Sequence, residues 1–270
     1  MAALKPQYID GPAGRLFVVH HVPDQEPRRR ALVVLPAFAE EMNKARRQVA
    51  LTARALAARG VGVVVPDLRG TGDSDGELEQ ATVEGFIDDL VAVVDHTRAL
   101  GYRHIDFLAV RGGALLAVGL LARPEVTAAR LILWQPVLLG KTMINQFLRL
   151  KAAAGLMADG AGSSVSELRA QLSAGTGVEV AGYGLSAAFV AGVDALDLAE
   201  LKRVTQVEWL QVGRSDDAPL PAARRVLDAF AAAGHHCRYR GVAGAPFWAT
   251  AEIATAPQLL RITVDVVVGP

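Results

Sequence analysis

Two segments of the sequence carry polar residues of types that can act on anions or acyl groups. The first, Ala109-Val-Arg-Gly-Gly113, places Arg111 between a buried apolar run and a helical run. An arginine stays protonated in proteins, so Arg111 can bind an anion but cannot attack an acyl carbon. The second segment, Pro36 to Arg47, surrounds a predicted helix start and contains Glu41 and Asn43. A carboxylate there can act as an acid or base, or it can pair with a cation.

Arg111 has two interpretations. The predicted helix that follows it presents free N–H groups at its start, and a guanidinium there adds to an already positive site. Something negative should therefore face Arg111. In the first interpretation, Arg111 binds a carboxylate or phosphate of a substrate, with Glu41 as an acid or base. In the second, Glu40 or Glu41 forms an internal ion pair with Arg111 that specifies structure and performs no chemistry.

Short aliphatic runs alternate with helical stretches along most of the chain. The runs lack strict polar and apolar alternation, which is typical of strands covered on both faces. The predicted strands are Ala31 to Leu35, Val61 to Asp67, His104 to Val110, Leu131 to Trp134, Val207 to Val212 and Cys237 to Val242. The predicted helices are Lys44 to Arg59, Thr82 to Leu100, Ala114 to Arg123, Pro221 to Gly234 and Pro257 to Val268. This order predicts an α/β fold with a mostly parallel sheet, helices on both faces, and ligands at the carboxyl ends of the strands.

Two regions depart from this alternation. Tyr8 to Pro23 predicts two antiparallel edge strands around a turn at Gly11 to Gly14. Between residues 138 and 198, helical pieces follow one another with no strand run between them, which predicts a helical cap inserted into a core of residues 1–137 and 199–270. The cap helices are predicted at Lys141 to Met157 and Ser166 to Leu172, with a mobile loop at Asp159 to Ser164.

Composition excludes several classes of partner. The 270 residues include 28 basic and 28 acidic side chains, so we expect no nucleic-acid partner and no polybasic membrane segment. The longest apolar or glycine run, Gly112 to Ala122, is shorter than the roughly 20 residues of a membrane span. The single cysteine, Cys237, and the lack of an apolar signal core before Gly11 predict a cytoplasmic protein. The sequence predicts no cofactor and no metal site, and it leaves the oligomeric state open.

The order of these elements, the segment Asp67-Leu-Arg-Gly-Thr-Gly-Asp-Ser74 and the turn at Arg111 resemble the α/β-hydrolase superfamily. In that superfamily the turn is a G-x-S-x-G nucleophile elbow, which requires small flanking residues. Here the small residues are Ala109, Gly112 and Gly113, but Arg111 stands at the nucleophile position. The resemblance therefore implies the fold without the serine nucleophile. In this fold the segment after Asp67 shapes a turn.

The resemblance also locates the other two members of a Ser-His-Asp triad. The acid loop matches Gly213 to Asp217, so Asp216 or Asp217 would be the orienting carboxylate, unless either caps the next helix. The histidine loop matches Ala243 to Trp248, which contains no histidine. Conventional triad hydrolysis needs nucleophile and base in contact, so it is not expected here.

Five segments resemble a particular group within this superfamily. They are Pro36-Ala-Phe-Ala-Glu-Glu-Met-Asn-Lys44, the turn that bears Arg111, Gln146 to Leu150, Val180 to Tyr183 and Pro246 to Trp248. Together they are similar to the exosortase A system-associated hydrolase 2 group. This resemblance implies a bacterial protein encoded beside the exosortase and PEP-CTERM protein-sorting machinery and exopolysaccharide genes. It implies no particular substrate, because fold alone does not establish an activity.

These observations predict two alternative functions. The first is a hydrolase that acts on a small acyl or carbohydrate-linked substrate by a non-triad mechanism, with Arg111, Glu41 and Asp216 as candidate catalytic residues. The second is a catalytically inactive hydrolase-fold protein that binds a metabolite or a partner protein. The candidate binding residues are Phe38, Ala39, Glu40, Asn43, Gly112, Phe247 and Trp248. Phe247 and Trp248 either line an apolar pocket or pack the last helix against the sheet.

Overall fold

A computed structural model describes residues 3–24, 29–159, 162–214 and 218–269, with the backbone alone for residues 156–159. Within these ranges the strands are β1 (Ala3–Gly11), β2 (Gly14–Val22), β3 (Arg30–Leu35), β4 (Gly62–Pro66), β5 (His104–Val110), β6 (Ala128–Trp134), β7 (Val178–Val180), β8 (Tyr183–Leu185), β9 (Val204–Gly213) and β10 (His236–Ala243). The α-helices are α1 (Ala39–Ala57), α2 (Val83–Ala99), α3 (Gly113–Ala122), α4 (Gly140–Asp159), α5 (Val165–Ser173), α6 (Ala187–Asp194), α7 (Pro221–Ala232) and α8 (Pro257–Val268).

Eight strands form one sheet in the order β1-β2-β4-β3-β5-β6-β9-β10. The six strands from β4 to β10 in this order pair in parallel, and β2 pairs antiparallel with both β1 and β4. The predicted mostly parallel sheet and its antiparallel edge are therefore present. Parallel strands end at one edge, so the loops after β3, β5, β6, β9 and β10 meet there.

Two hydrophobic cores cover the two faces of this sheet. Successive residues of a strand point to opposite faces, and β3 shows the consequence. Leu32 and Val34 belong to the core beneath α1 and α8, whereas Val33 and Leu35 belong to the core beneath α2, α3 and α7. Burial on both faces explains why a run such as Ala31 to Leu35 is continuously apolar.

The chain between β6 and β9 forms α4, α5, the β7–β8 hairpin and α6. This segment packs on the core through Phe189 of α6, which contacts the rings of Phe38 and Phe86. The sequence did not predict the hairpin, because strands of three residues are too short to show an alternating pattern. Its two-residue turn has positive φ at Ala181 and Gly182, which matches the twist of a tight hairpin. The division into a core and a cap at residues 138 and 198 remains a proposal.

The first helix begins at Ala39, about one turn before the predicted Lys44, so the acidic pair Glu40 and Glu41 lies inside its first turn. Acidic side chains are favoured at that end because of the positive helix N-terminus.

The predicted mobile loop at Asp159 to Ser164 includes residues 160 and 161, which lie outside the described residues. At the end of this segment, Ser164 and Glu167 form a reciprocal cap at the start of α5.

Two glycines allow the tight turn between β5 and α3. A Cβ on Gly113 would lie 2.2 Å from the carbonyl oxygen of Leu35, and a Cβ on Gly112 would lie 2.3 Å from the Phe38 ring. The start of α3 therefore approaches the end of β3 more closely than any other residue type allows. This approach fixes the position of Arg111 relative to the loop after β3.

We predict that Gly113→Ala destabilises the protein by about 2 kcal/mol or more, because the new methyl group overlaps backbone rather than a movable side chain. Urea unfolding followed by circular dichroism measures the change. Gly177→Ala is the matched control, since its Cβ would meet only the Leu185 carbonyl oxygen at 3.5 Å. Equal stability of the two variants would contradict this account of the turn.

Candidate functional site

Arg111 occupies the sharp turn between β5 and α3, with a φ of 52°. This left-handed conformation is unfavourable for a residue with a long side chain, and such strain concentrates at functional sites. The backbone hydrogen bonds secure the turn, because the Arg111 N–H donates to Trp134 O and the Arg111 carbonyl accepts from Val137 N–H. The strained geometry that displays a nucleophile in the superfamily thus displays a guanidinium here.

Glu41 and the carbonyl of Gln135 hold the Arg111 guanidinium. Its Nη2 donates to Glu41 Oε1 at 2.9 Å, and its Nε lies 3.2 and 3.3 Å from the two carboxylate oxygens. Its Nη1 donates to Gln135 O at 3.0 Å. The Arg111 and Glu41 side chains are 11% and 18% exposed. The ion pair that the sequence left open is therefore formed, with Glu41 as the partner and largely shielded from water.

The face of the guanidinium lies over the Trp248 ring, with 4.9 Å between Arg111 Cζ and the ring centroid. This distance gives a cation–π contact, and the shielding strengthens it. Phe247 is fully buried and packs edge-on against Trp134 and Trp248. The sequence left open whether Phe247 and Trp248 line a pocket or pack the last helix. Trp248 contacts the Arg111 guanidinium, and Phe247 supports Trp248 from the core.

The remaining candidates from the loop after β3 have separate roles. Glu40 pairs with Lys44 on the same helix at 3.0 Å. Asn43 donates from Nδ2 to the Tyr183 hydroxyl of the β7–β8 hairpin at 2.6 Å. This contact joins α1 to the segment between β6 and β9, and sequence reasoning gave no role to Tyr183.

Phe38 and Ala39 shape the wall of the site. Phe38 is buried, precedes α1 and packs against Phe86 and Phe189. Ala39 has a φ of 50°, and Gln135, whose carbonyl binds Arg111, has a φ of 45°. Three non-glycine residues in the left-handed region thus lie at the ends of β3, β5 and β6. No residue pattern indicates Gln135, because it contributes its backbone carbonyl to Arg111.

Asp216 and Asp217, the predicted acid candidates, lie outside the described residues. The six histidines are all described, and none makes a hydrogen bond to Arg111 or Glu41 in the part of the chain that the structure covers. His104 and His236 begin β5 and β10, at the opposite edge of the sheet from Arg111, and His235 lies against the carbonyl oxygens of Leu201 and Val204. His20 bonds to Tyr102, His96 bonds to Gln7, and His21 lines a cavity described below.

The glycine-rich segment after β4 is occupied by structural contacts. Asp67 is buried; its Oδ1 accepts from Arg46 Nη2 at 2.8 Å and its Oδ2 accepts from the Asp73 N–H at 3.1 Å. The Ser74 hydroxyl donates to Asp67 O and accepts from the Phe17 N–H. These contacts agree with the interpretation of this segment as a turn.

A cavity of about 230 Å³ lies between the first half of α1 and strands β2 and β4. Its polar lining residues are His21, Arg46 and Asp67, and its other lining residues are apolar. Burial, together with the charge of Arg54, lowers the pKa of His21 to about 4. His21 is therefore neutral at pH 7. At the other edge of the sheet, burial raises the pKa of Cys237 to about 12, so this thiol stays protonated at neutral pH.

No helix in the described ranges is long and apolar enough to span a bilayer. No group of three or more His, Cys, Asp or Glu side chains among the same residues is arranged to hold a metal ion.

Comparison with solved structures identifies the class of fold. Est1E from Butyrivibrio proteoclasticus, solved with ferulic acid, superposes with a TM-score of 0.67 at 17% identity and covers 97% of this chain and 96% of its own. A hypothetical protein from Pseudomonas aeruginosa gives 0.64 at 14% identity, over 99% and 92%. Epoxide hydrolase A from Mycobacterium thermoresistibile gives 0.60 at 17% identity, over 99% of both chains. The chain has the α/β-hydrolase fold, as predicted.

A family model then places the chain within this class. The family described as serine aminopeptidase, S33, matches residues 26–176, which is more than half of the chain. The chain belongs to this family of α/β-hydrolases. A search of curated proteins gave no significant match.

We predict that Arg111 and Glu41 are energetically coupled. Glu41→Gln or Arg111→Met alone should destabilise the protein by about 3 kcal/mol, because each leaves a shielded charge without its partner. In a double-mutant cycle measured by urea unfolding, we expect a coupling energy of about 1–3 kcal/mol. The exposed Arg15–Asp75 pair is the control, and its coupling should be much smaller because water screens both charges. A coupling at Arg111 no larger than the control would contradict a structural ion pair.

We predict that His21 makes the protein sensitive to acid. The pKa is about 6.5 in an unfolded chain and about 4 in the fold, so between these values the unfolded state binds a proton that the folded state does not. The contribution of His21 to stability is present above pH 6.5 and is lost as the pH falls toward 4, by up to about 3 kcal/mol. Urea unfolding from about pH 7.5 to 4.5 should show a shallower decline for His21→Gln. The exposed His104→Gln is the control, and an unchanged slope in His21→Gln would disprove the assignment.

Proposed function

We propose that this chain is a hydrolase-family protein that binds a small acyl or carbohydrate-linked metabolite at Arg111 and does not perform Ser-His-Asp hydrolysis. The observation that carries the proposal is the guanidinium at the elbow, tied to Glu41, Gln135 and Trp248. A protonated guanidinium in this position cannot act as a nucleophile. Glu41 is held by the same ion pair and is not poised as a free base.

The geometry leaves Arg111 able to contact a ligand oxygen. A guanidinium has five N–H groups, and the contacts of Arg111 leave one N–H on each Nη without a partner among the described residues. Glu41 balances most of the charge, while the starts of α1 and α3 contribute partial positive charge. A carbonyl, hydroxyl or carboxylate oxygen of the ligand fits these donors. Asp216 is not needed in this proposal.

Hydrolysis by a non-triad mechanism around Arg111, Glu41 and Asn43 is the second candidate. One observation favours it: Arg111 keeps the positive φ of a nucleophile elbow, although an arginine that only formed an ion pair would not need that strain. This mechanism requires Glu41 to leave the ion pair before it accepts a proton.

We further propose that the chain is a cytoplasmic member of the exosortase A system-associated hydrolase 2 group. The support is that four of the five segments behind that resemblance come together in space. Glu41, Arg111 and Trp248 form one cluster, and Asn43 bonds to Tyr183. A partner protein from that sorting system is an alternative occupant of the site. A source genome without exosortase genes would contradict this assignment.

We predict no turnover above buffer when the protein is incubated with a panel of nitrophenyl acyl esters from short to long chains. Arg111→Ala and Arg111→Ser should also be inactive, because no described histidine is positioned to activate a serine at the elbow. Release of nitrophenolate at matched concentrations of folded protein measures this. Turnover in the wild type that Arg111→Ala removes would overturn the binding proposal and establish the second candidate.

A further inference from the structure

The cavity under α1 is separate from the Arg111 cluster, and its lining is aliphatic. Side chains from four neighbouring strands and from α1 form the wall, among them Val19, Val34, Val65, Val110, Met42 and Val49. Small residues on the helix leave the space open, since Ala45 and Ala50 face it. Its volume of about 230 Å³ is large enough for a small organic molecule, since a cavity of about 150 Å³ already admits benzene.

We propose that this cavity is a binding site for an uncharged aliphatic carbonyl compound of roughly six to eight carbon atoms. The apolar walls take the chain of the ligand, and burial of that chain supplies the affinity. A ligand that binds here in the folded state and not in the unfolded chain stabilises the fold.

Arg46 marks the mouth of the cavity and supplies the polar contact. Its side chain is 43% exposed, whereas Asp67 and His21 are buried. Among the described residues its single hydrogen bond runs from Nη2 to Asp67 Oδ1. The other guanidinium N–H groups of Arg46 are available to a ligand oxygen at the rim.

Charge balance selects an uncharged oxygen acceptor. Among the lining residues, Arg46 and Asp67 neutralise each other and His21 is neutral at pH 7; Arg54, whose charge acts on His21, lies outside the lining. A carboxylate at the rim would bring a second negative charge toward Asp67, which is 3% exposed and poorly screened by water. A ketone or ester oxygen accepts the same hydrogen bond without that repulsion.

The inference does not depend on the proposed function at Arg111. Val110 and Ala37 line the cavity. They directly precede Arg111 and Phe38, so the cavity lies directly behind the site that contains Arg111. No side chain that binds Arg111 lines the cavity. A failure of ester hydrolysis or of metabolite binding at Arg111 would therefore leave this inference intact.

Isothermal titration calorimetry with 2-octanone at about pH 7.5 tests the site, with octanoate as the charged comparison. We expect saturable binding of one 2-octanone per chain and binding of octanoate at least about tenfold weaker. No saturable binding of 2-octanone to the wild type overturns the site. Tighter binding of octanoate overturns the ligand class.

Variants locate the ligand. Ala45→Leu fills the cavity and should weaken 2-octanone binding by at least about tenfold. If Ala45→Leu does not fold, Ala50→Leu tests the same point, because Ala50 is partly exposed at the rim. Arg46→Met should weaken binding about three- to tenfold through the lost hydrogen bond. Arg47→Met, on the same helix but outside the lining, should bind like the wild type. Unchanged binding in the folded cavity-filling variants places the ligand elsewhere and overturns the inference.

Discussion

The guanidinium of Arg111 is shielded from water, so it needs a carboxylate and fixed hydrogen-bond acceptors around it. The loops at the carboxyl edge of the sheet supply these partners, and their arrangement depends on that need. Arg111 obtains its partners from three segments that are distant in sequence: Glu41 from α1, the carbonyl of Gln135 after β6, and the ring of Trp248 after β10. Each segment is attached to a different strand or helix of the core. The contacts of one side chain therefore join the ends of β3, β5, β6 and β10.

Three residues around the Arg111 guanidinium have an unfavourable left-handed backbone, and packing in the two cores must offset that cost. Ala39, Arg111 and Gln135 have φ between 45° and 52°, and each such residue costs of order 1–3 kcal/mol. The close contact of Gly113 with β3 and the packing of Phe38 between Phe86 and Phe189 hold the first two segments in place. The turn after β5 is thus held in a left-handed conformation, and the group it presents is the paired guanidinium of Arg111.

The elements that carry a strong pattern could be predicted from the sequence. The buried strands and α2, α3 and α8 match to within a few residues because their apolar runs are local signals. The start of α1 and the β7–β8 hairpin were missed, because an acidic first turn and strands of three residues give weak local patterns. At the site, the sequence indicated Arg111 and Glu41 from charge, but Gln135 acts through its backbone and Tyr183 through a contact 140 residues from Asn43.

The sequence by itself determined the class of fold and the chemical limits of Arg111, since periodicity determines strands and helices and residue type determines what an arginine can do. Only the tertiary structure decided which glutamate pairs with Arg111, that Trp248 lies on the guanidinium while Phe247 is buried in the core, and that small residues on α1 leave a cavity behind the elbow. Pairing and cavity formation depend on distances between segments remote in sequence. Such distances are set by the packing of the two cores, and no local pattern records them.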